Sequence, residues 1–170
     1  MLPKSYIVFK WTVYGLATIA LFAFQYLVLD QITVWGLTPF LYPMLPAVAA
    51  SYEGLRRGSV FALVLGVVCD LLVVGPFDGF YTLAFTLAGV IAALIGENLL
   101  SPGFLCALVV SVLSLLLTAG LRIVFAWLSG GEDFLLMGEI ALGETVLTLP
   151  AVVVVFPLYR WVHKRCTVEY

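Results

Sequence analysis

The chain has 170 residues, of which 64% are hydrophobic and 11% charged, with a formal net charge of −2 and a mean hydropathy of +1.16. A soluble domain carries roughly 45–50% apolar and about 25% charged residues, and a chain this short has too little interior to hide the surplus. That excludes a soluble enzyme and leaves lipid as the outer solvent. Because the apolar runs are continuous rather than alternating in polarity, the backbone is expected to satisfy itself in helices rather than in a closed barrel.

A helical span takes about 20 mainly apolar residues, and six segments qualify, at 11–29, 39–54, 58–74, 79–96, 102–128 and 139–159. The first follows Lys4 and Lys10 and has no small-residue cleavage site after it, which separates it from a secretory signal. The second opens at Thr38-Pro39, a cap followed by proline at the first helical position. It is short, and Pro43 and Pro46 predict a bent or tilted element. Between the third and fourth lies the turn Gly75-Pro76-Phe77-Asp78-Gly79, with Asp78 as the expected cap. Ser101-Pro102 opens the fifth, Ser129-Gly130-Gly131-Glu132-Asp133 closes it, and a tail begins at Arg160 after the sixth. Together these predict an all-α polytopic protein, a single transmembrane domain built as a six-helix bundle with short loops.

Charge orients the bundle. With the N-terminus placed inside, Lys4, Lys10, Arg56, Arg57, Arg160, Lys164 and Arg165 are all cytoplasmic, seven of the eight Lys and Arg residues. Asp30, Asp78, Glu132, Asp133 and Glu139 then lie outside. Positive flanks set topology, so both termini are expected in the cytoplasm. Trp11, Trp35, Trp127 and Trp161 fall near span ends, as an interfacial aromatic belt would place them. Arg160, Lys164 and Arg165 are suited to lipid headgroups. Glu53 with Arg56-Arg57 reads as a polar, orienting loop.

Ionisable side chains inside spans are expensive and are candidates for function. Asp70, Arg122 and Glu144 are the three, and at 1.5 Å per residue each lies about 8 Å below the outer surface. An intramembrane charge cluster is expected, with Asp70–Arg122 as its leading pair. The competing reading is a lock on helix register, or snorkelling to the interface. On the fourth span Ala88, Ala92 and Gly96 share one face, with Gly89 and Ala93 beside them, and small residues let membrane helices approach closely. That face suits internal packing or a partner helix; Ala62 and Gly66 form a shorter one on the third span.

Cys69, Cys106 and Cys166 are scattered and His163 is alone, so no metal site is expected. The chain has no GxxxxGK[ST], HExxH or GxSxG motif. An Arg122 between Asp70 and Glu144 would hold both acids ionised, which argues against paired-acid catalysis. Neither catalytic residues nor a cofactor are expected, and a proton path inward from Asp70 and Glu144 lacks further acids to continue it.

The stretch from Pro43 to Asn98 carries Pro43, Tyr52, Gly58, Gly66, Asp70, Gly75 and Gly79. It resembles the bacterial rod-shape-determining MreD family: a proline before the second span, a tyrosine ahead of a glycine near an inner loop, Gly-x-x-x-Asp ending the third span, and a glycine-rich outer turn. The doubled prolines and the turn VVGPFDG depart from the family pattern. The resemblance implies a non-enzymatic scaffold of the cell-elongation complex in the bacterial inner membrane, supporting cell shape and lateral peptidoglycan synthesis. Its implied partner is the bitopic protein MreC, and through it MreB, RodA and a class B transpeptidase. The family's six-helix fold is also similar to the substrate-binding subunits of energy-coupling-factor transporters, so a vitamin-type transport subunit is the alternative. A transporter requires a polar, ligand-sized outer cavity; a scaffold requires a packed interior and an apolar groove.

Overall fold

The structure, a computed structural model, describes residues 4–130 and 134–165. Gly131, Glu132, Asp133 and Cys166 lie outside the described residues. Six helices follow one another: α1 (Lys4–Leu27), α2 (Met44–Leu72), α3 (Phe80–Asn98), α4 (Phe104–Leu128), α5 (Phe134–Thr148) and α6 (Val152–Arg165). Short 3-10 turns at Leu29–Gln31 and Leu149–Ala151 interrupt them. Among the described residues four stretches are long and apolar enough to cross a membrane: Val8–Gln31, Phe80–Asn98, Phe104–Leu128 and Met137–Arg165.

The exception is α2, which is two helical limbs rather than one rod. Gly54 sits between them at φ 77°, ψ 175°, outside helical geometry and in a region glycine alone enters freely. The chain folds back there so sharply that a Cβ added at Gly58 would sit 2.6 Å from the Cα of Ala50. The first limb, residues 44–53, is too short to cross a bilayer as helix, spanning about 15 Å at 1.5 Å per residue. It is also the centre of the molecule: every residue from Leu41 to Ser51 is buried.

The helix of this limb does not start at Thr38-Pro39. Residues 38–43 are non-helical, Pro43 is the N-cap, and Pro46 falls in the first turn. Both prolines therefore occupy positions whose N–H has no helical acceptor anyway, so they start the helix instead of kinking it. The non-helical approach is buried, and buried backbone needs partners. Gln25 of α1 supplies two of them, donating to Pro39 O at 2.8 Å and accepting from Leu41 N–H at 2.9 Å. Thr148 of α5 accepts from Phe40 N–H at 2.9 Å, and Ser114 of α4 donates to Pro43 O. Three helices thus complete the backbone of a segment that lipid could not solvate.

The second limb, residues 55–72, runs antiparallel to α3 at very close range. A Cβ on Gly66 would meet the Cα of Thr82 at 2.5 Å; α3 comes as close to the first limb, where a Cβ on Gly96 would meet Ser51 O at 2.5 Å. Elsewhere the sequence expectations shift. The tail expected from Arg160 is helical to Arg165. The unbroken helix expected over 139–159 is two helices, α5 and α6, parted at Leu149–Ala151 where Pro150 removes a donor. The fifth span's opening cap is Gly103 rather than Ser101.

Candidate functional site

The charges inside the apolar helices do not form one cluster. Asp70, near the end of α2, turns toward the start of α3. Its Oδ1 accepts from Tyr81 N–H at 2.8 Å, and its Oδ2 accepts from Thr82 N–H at 2.9 Å and the Thr82 hydroxyl at 2.6 Å. Asp70 is thus the cap of α3, satisfying orphan donors at the positive end of the helix dipole. Asp78, the expected cap, does not serve; Gly79 stands at the N-cap with no side-chain bond. The expected Asp70–Arg122 pair does not form: no ion pair joins the two among the described residues, and the Asp70 carboxylate turns to α3 instead. Arg122 meets Glu144 instead, at 3.5 Å, and lies over the Phe40 ring at 5.4 Å. That pair is only part-buried, at 39% and 27% side-chain exposure.

A matching cap closes the other end of the α2–α3 pair. Glu97, at the end of α3, accepts from Leu55 N–H at 2.8 Å, the first donor of the second limb. Each of these two antiparallel helices thus carries, near its C-terminus, a carboxylate that caps the N-terminus of the other. Gly75 and Gly79 lie in the turn between them, Gly79 at φ 89°.

A further charge, one that reads from the sequence as part of a loop, has partners on two other helices. Glu53, beside the Gly54 turn, has a side chain 2% exposed. Lys10 of α1 approaches its Oε2 at 2.6 Å; the Tyr14 hydroxyl donates to Oε1 at 2.8 Å, and His163 Nδ1 of α6 lies 3.0 Å from the same oxygen. Tyr52 stacks near His163, ring centroids 5.2 Å apart. One buried carboxylate therefore ties together the start of α1, the turn within α2 and the end of α6. His163, the one histidine of the sequence, belongs to this cluster. The signal was present in the sequence: with both termini on one side, Lys10, Glu53 and His163 fall at the same end of the bundle.

The small-residue face of α3 divides in two. Gly89 packs against Ala62, and Gly96 against Ser51, with Ala93 fully buried among them. Ala88 and Ala92 line instead an apolar groove of about 270 Å³ shared with α4, walled by Ile91, Ile95, Val110 and Leu113. At the Asp70 end, the cavity beside Arg122 and Glu144 has about 170 Å³ and is otherwise lined by Ala119, Ile123, Met137, Ile140 and Ala141. Small-molecule sites commonly need roughly 300–1,000 Å³ with several placed polar groups. Among the described residues no group of three or more His, Cys, Asp or Glu could hold a metal ion. Compared with protein-family models, with curated proteins and with solved structures, the chain finds no match.

Proposed function

We propose that this chain is a non-enzymatic scaffold of the bacterial cell-elongation complex, crossing the inner membrane six times with both ends in the cytoplasm. In this reading the two limbs of α2 supply the second and third crossings, the first completed by the non-helical residues 38–43. The meeting of Lys10 and His163 on Glu53 supports an even number of crossings, because it brings the first and last helices to the same end. The seven Lys and Arg residues that flank the spans at that end favour the cytoplasm for it.

The observation that carries the scaffold is the α3–α4 groove. Its floor is Ala88 and Ala92, its walls are branched aliphatics, and Ile91 and Leu113 stand 37% and 41% exposed at its rim. In lipid, helices associate through close van der Waals packing on small residues, and the single helix of a bitopic, MreC-type partner fits such a surface. Through that partner the chain would connect MreB filaments to RodA and a class B transpeptidase. The small, largely apolar cavity near Arg122 gives a vitamin-sized ligand little to bind, which disfavours the transport subunit.

The test places a photo-crosslinking residue at Ile91 or Leu113 in a tagged chain, irradiates native membranes and identifies adducts by mass spectrometry. A bitopic MreC-type protein joined at both positions supports the scaffold. A coupling-factor membrane subunit with its ATPases, and no wall-synthesis protein, overturns it in favour of transport.

A further inference from the structure

Between α1 and the second limb of α2 lies a seam unlike the tight α2–α3 contact, held apart by side chains instead of closed by backbone approach. Along it, Gly15, Ile19 and Phe22 of α1 face Phe61, Val64 and Val68 of α2 across an apolar groove of about 390 Å³. These positions recur at three- and four-residue spacing, so each set forms one stripe down its helix. At the Gly54 end, Trp11 stacks on Phe61 at 5.8 Å, and beyond them the same two helices open into a second cavity of about 560 Å³. Glu53, Arg56, Arg57 and Glu97 line it with Trp11 and Val60.

The charges of this second cavity do not cancel. Glu53 is consumed by Lys10, and Glu97 holds Leu55 N–H. Arg56 and Arg57 are exposed and form no ion pair among the described residues. Two guanidinium groups against the one remaining carboxylate leave an excess of positive charge, and guanidinium forks match phosphate oxygens. From Phe61 to Leu72 the apolar groove runs about 17 Å at 1.5 Å per residue, close to the roughly 15 Å of one bilayer leaflet.

We propose that the α1–α2 seam is a binding site for one anionic glycerophospholipid, its phosphate held by Arg56 and Arg57 and an acyl chain lying between Gly15 and Val64. The site is independent of the partner groove on α3 and α4. It would fill the gap that the side chains leave, fastening α1 to a hairpin that it scarcely touches through backbone.

The experiment is native mass spectrometry of the full chain released from nanodiscs containing equal phosphatidylglycerol and phosphatidylcholine. One retained phosphatidylglycerol per chain is expected, in preference to phosphatidylcholine. R56Q/R57Q should weaken its retention roughly thirtyfold, the loss of two cations near a membrane surface. R160Q/K164Q, equal in charge removed but at residues that line neither cavity of the seam, should leave it unchanged. Gly15→Leu should displace the lipid, its Cβ meeting nothing within 4 Å and the rest of the side chain entering the groove that Gly15 lines. No retained lipid, equal retention of both lipids, or equal losses in R56Q/R57Q and R160Q/K164Q overturns the site. Unchanged retention in Gly15→Leu overturns the acyl-chain groove.

Discussion

Glu53 and Glu144 are both helical carboxylates and both meet a cation, yet they sit in opposite circumstances. Glu53 is enclosed, with Lys10 at 2.6 Å and two further partners, at the junction of three elements. Glu144 is a quarter exposed and reaches Arg122 at 3.5 Å, between neighbouring helices α4 and α5. Glu144, deep in a predicted span, is the candidate for function by its cost in lipid, whereas Glu53, at the end of one and beside a turn, connects three elements. Depth in an apolar run is therefore a weaker guide than the number of elements a charge connects.

The sharpest way to break this contrast is Glu53→Ala. It leaves Lys10, 8% exposed, as a buried cation without its counter-ion, and such half-broken pairs cost about 3–5 kcal/mol. We expect a large fall in the thermal midpoint of the detergent-solubilised protein. Lys10→Met added to Glu53→Ala should recover part of the loss, because both charges are then gone. If Glu53→Ala melts like the wild type, the cluster does not hold the three elements together.

Next in size is Gly66→Ala. Its new Cβ would have to displace the backbone of α3 at Thr82, which no side-chain rotation relieves. Overpacking of this kind costs roughly 1–3 kcal/mol. Gly15→Ala, whose Cβ would meet nothing within 4 Å, serves as the control and should be near neutral. Equal effects at the two glycines would show that α2 and α3 do not depend on their close approach. Asp70→Ala follows, removing the acceptor for two backbone donors of α3; losing a cap costs about 0.5–2 kcal/mol. Hydrogen exchange at Tyr81 and Thr82 should rise in this variant while the Gly54 end stays protected. Equal loosening at both ends would mean that the caps act through the whole hairpin.

How much of this could be read in the sequence depends on what kind of contact a residue makes. Continuous apolar runs such as those of α3 and α4 reveal helices because lipid demands an apolar face. Residues 41–51 face protein, and their small side chains and two prolines look like a weak span where the structure has its core. The position of Asp70 along its helix gave its depth but not its azimuth, and azimuth turns it toward α3 and away from Arg122. The fourth-span alanines and glycines were legible as a close-packing face; its division between Ala62 and the α4 groove required the neighbours' positions. Gln25 gave no signal, since its three bonds go to a residue on the next turn and to backbone far along the chain.

The smallest effect is expected at the other carboxylate, and it is the one that tests the comparison most directly. Arg122 and Glu144 are part-exposed and their approach, 3.5 Å, is long, so an exposed-type pair of about 0–1 kcal/mol is expected. Glu144→Gln keeps the shape and a hydrogen-bond acceptor while removing the charge. Arg122 retains the Phe40 ring, a contact of roughly 0.5–1 kcal/mol at exposed sites. A double-mutant cycle with Arg122→Gln isolates the coupling from either single change. A coupling below about 1 kcal/mol, screened further by salt, keeps this pair at the water interface and the contrast with Glu53 intact. A coupling of several kcal/mol, insensitive to salt, would place Arg122 and Glu144 in a dehydrated setting. The two ends of the bundle would then be held by equivalent buried ion pairs, and charge count, not connectivity, would be the better guide to what organises this fold.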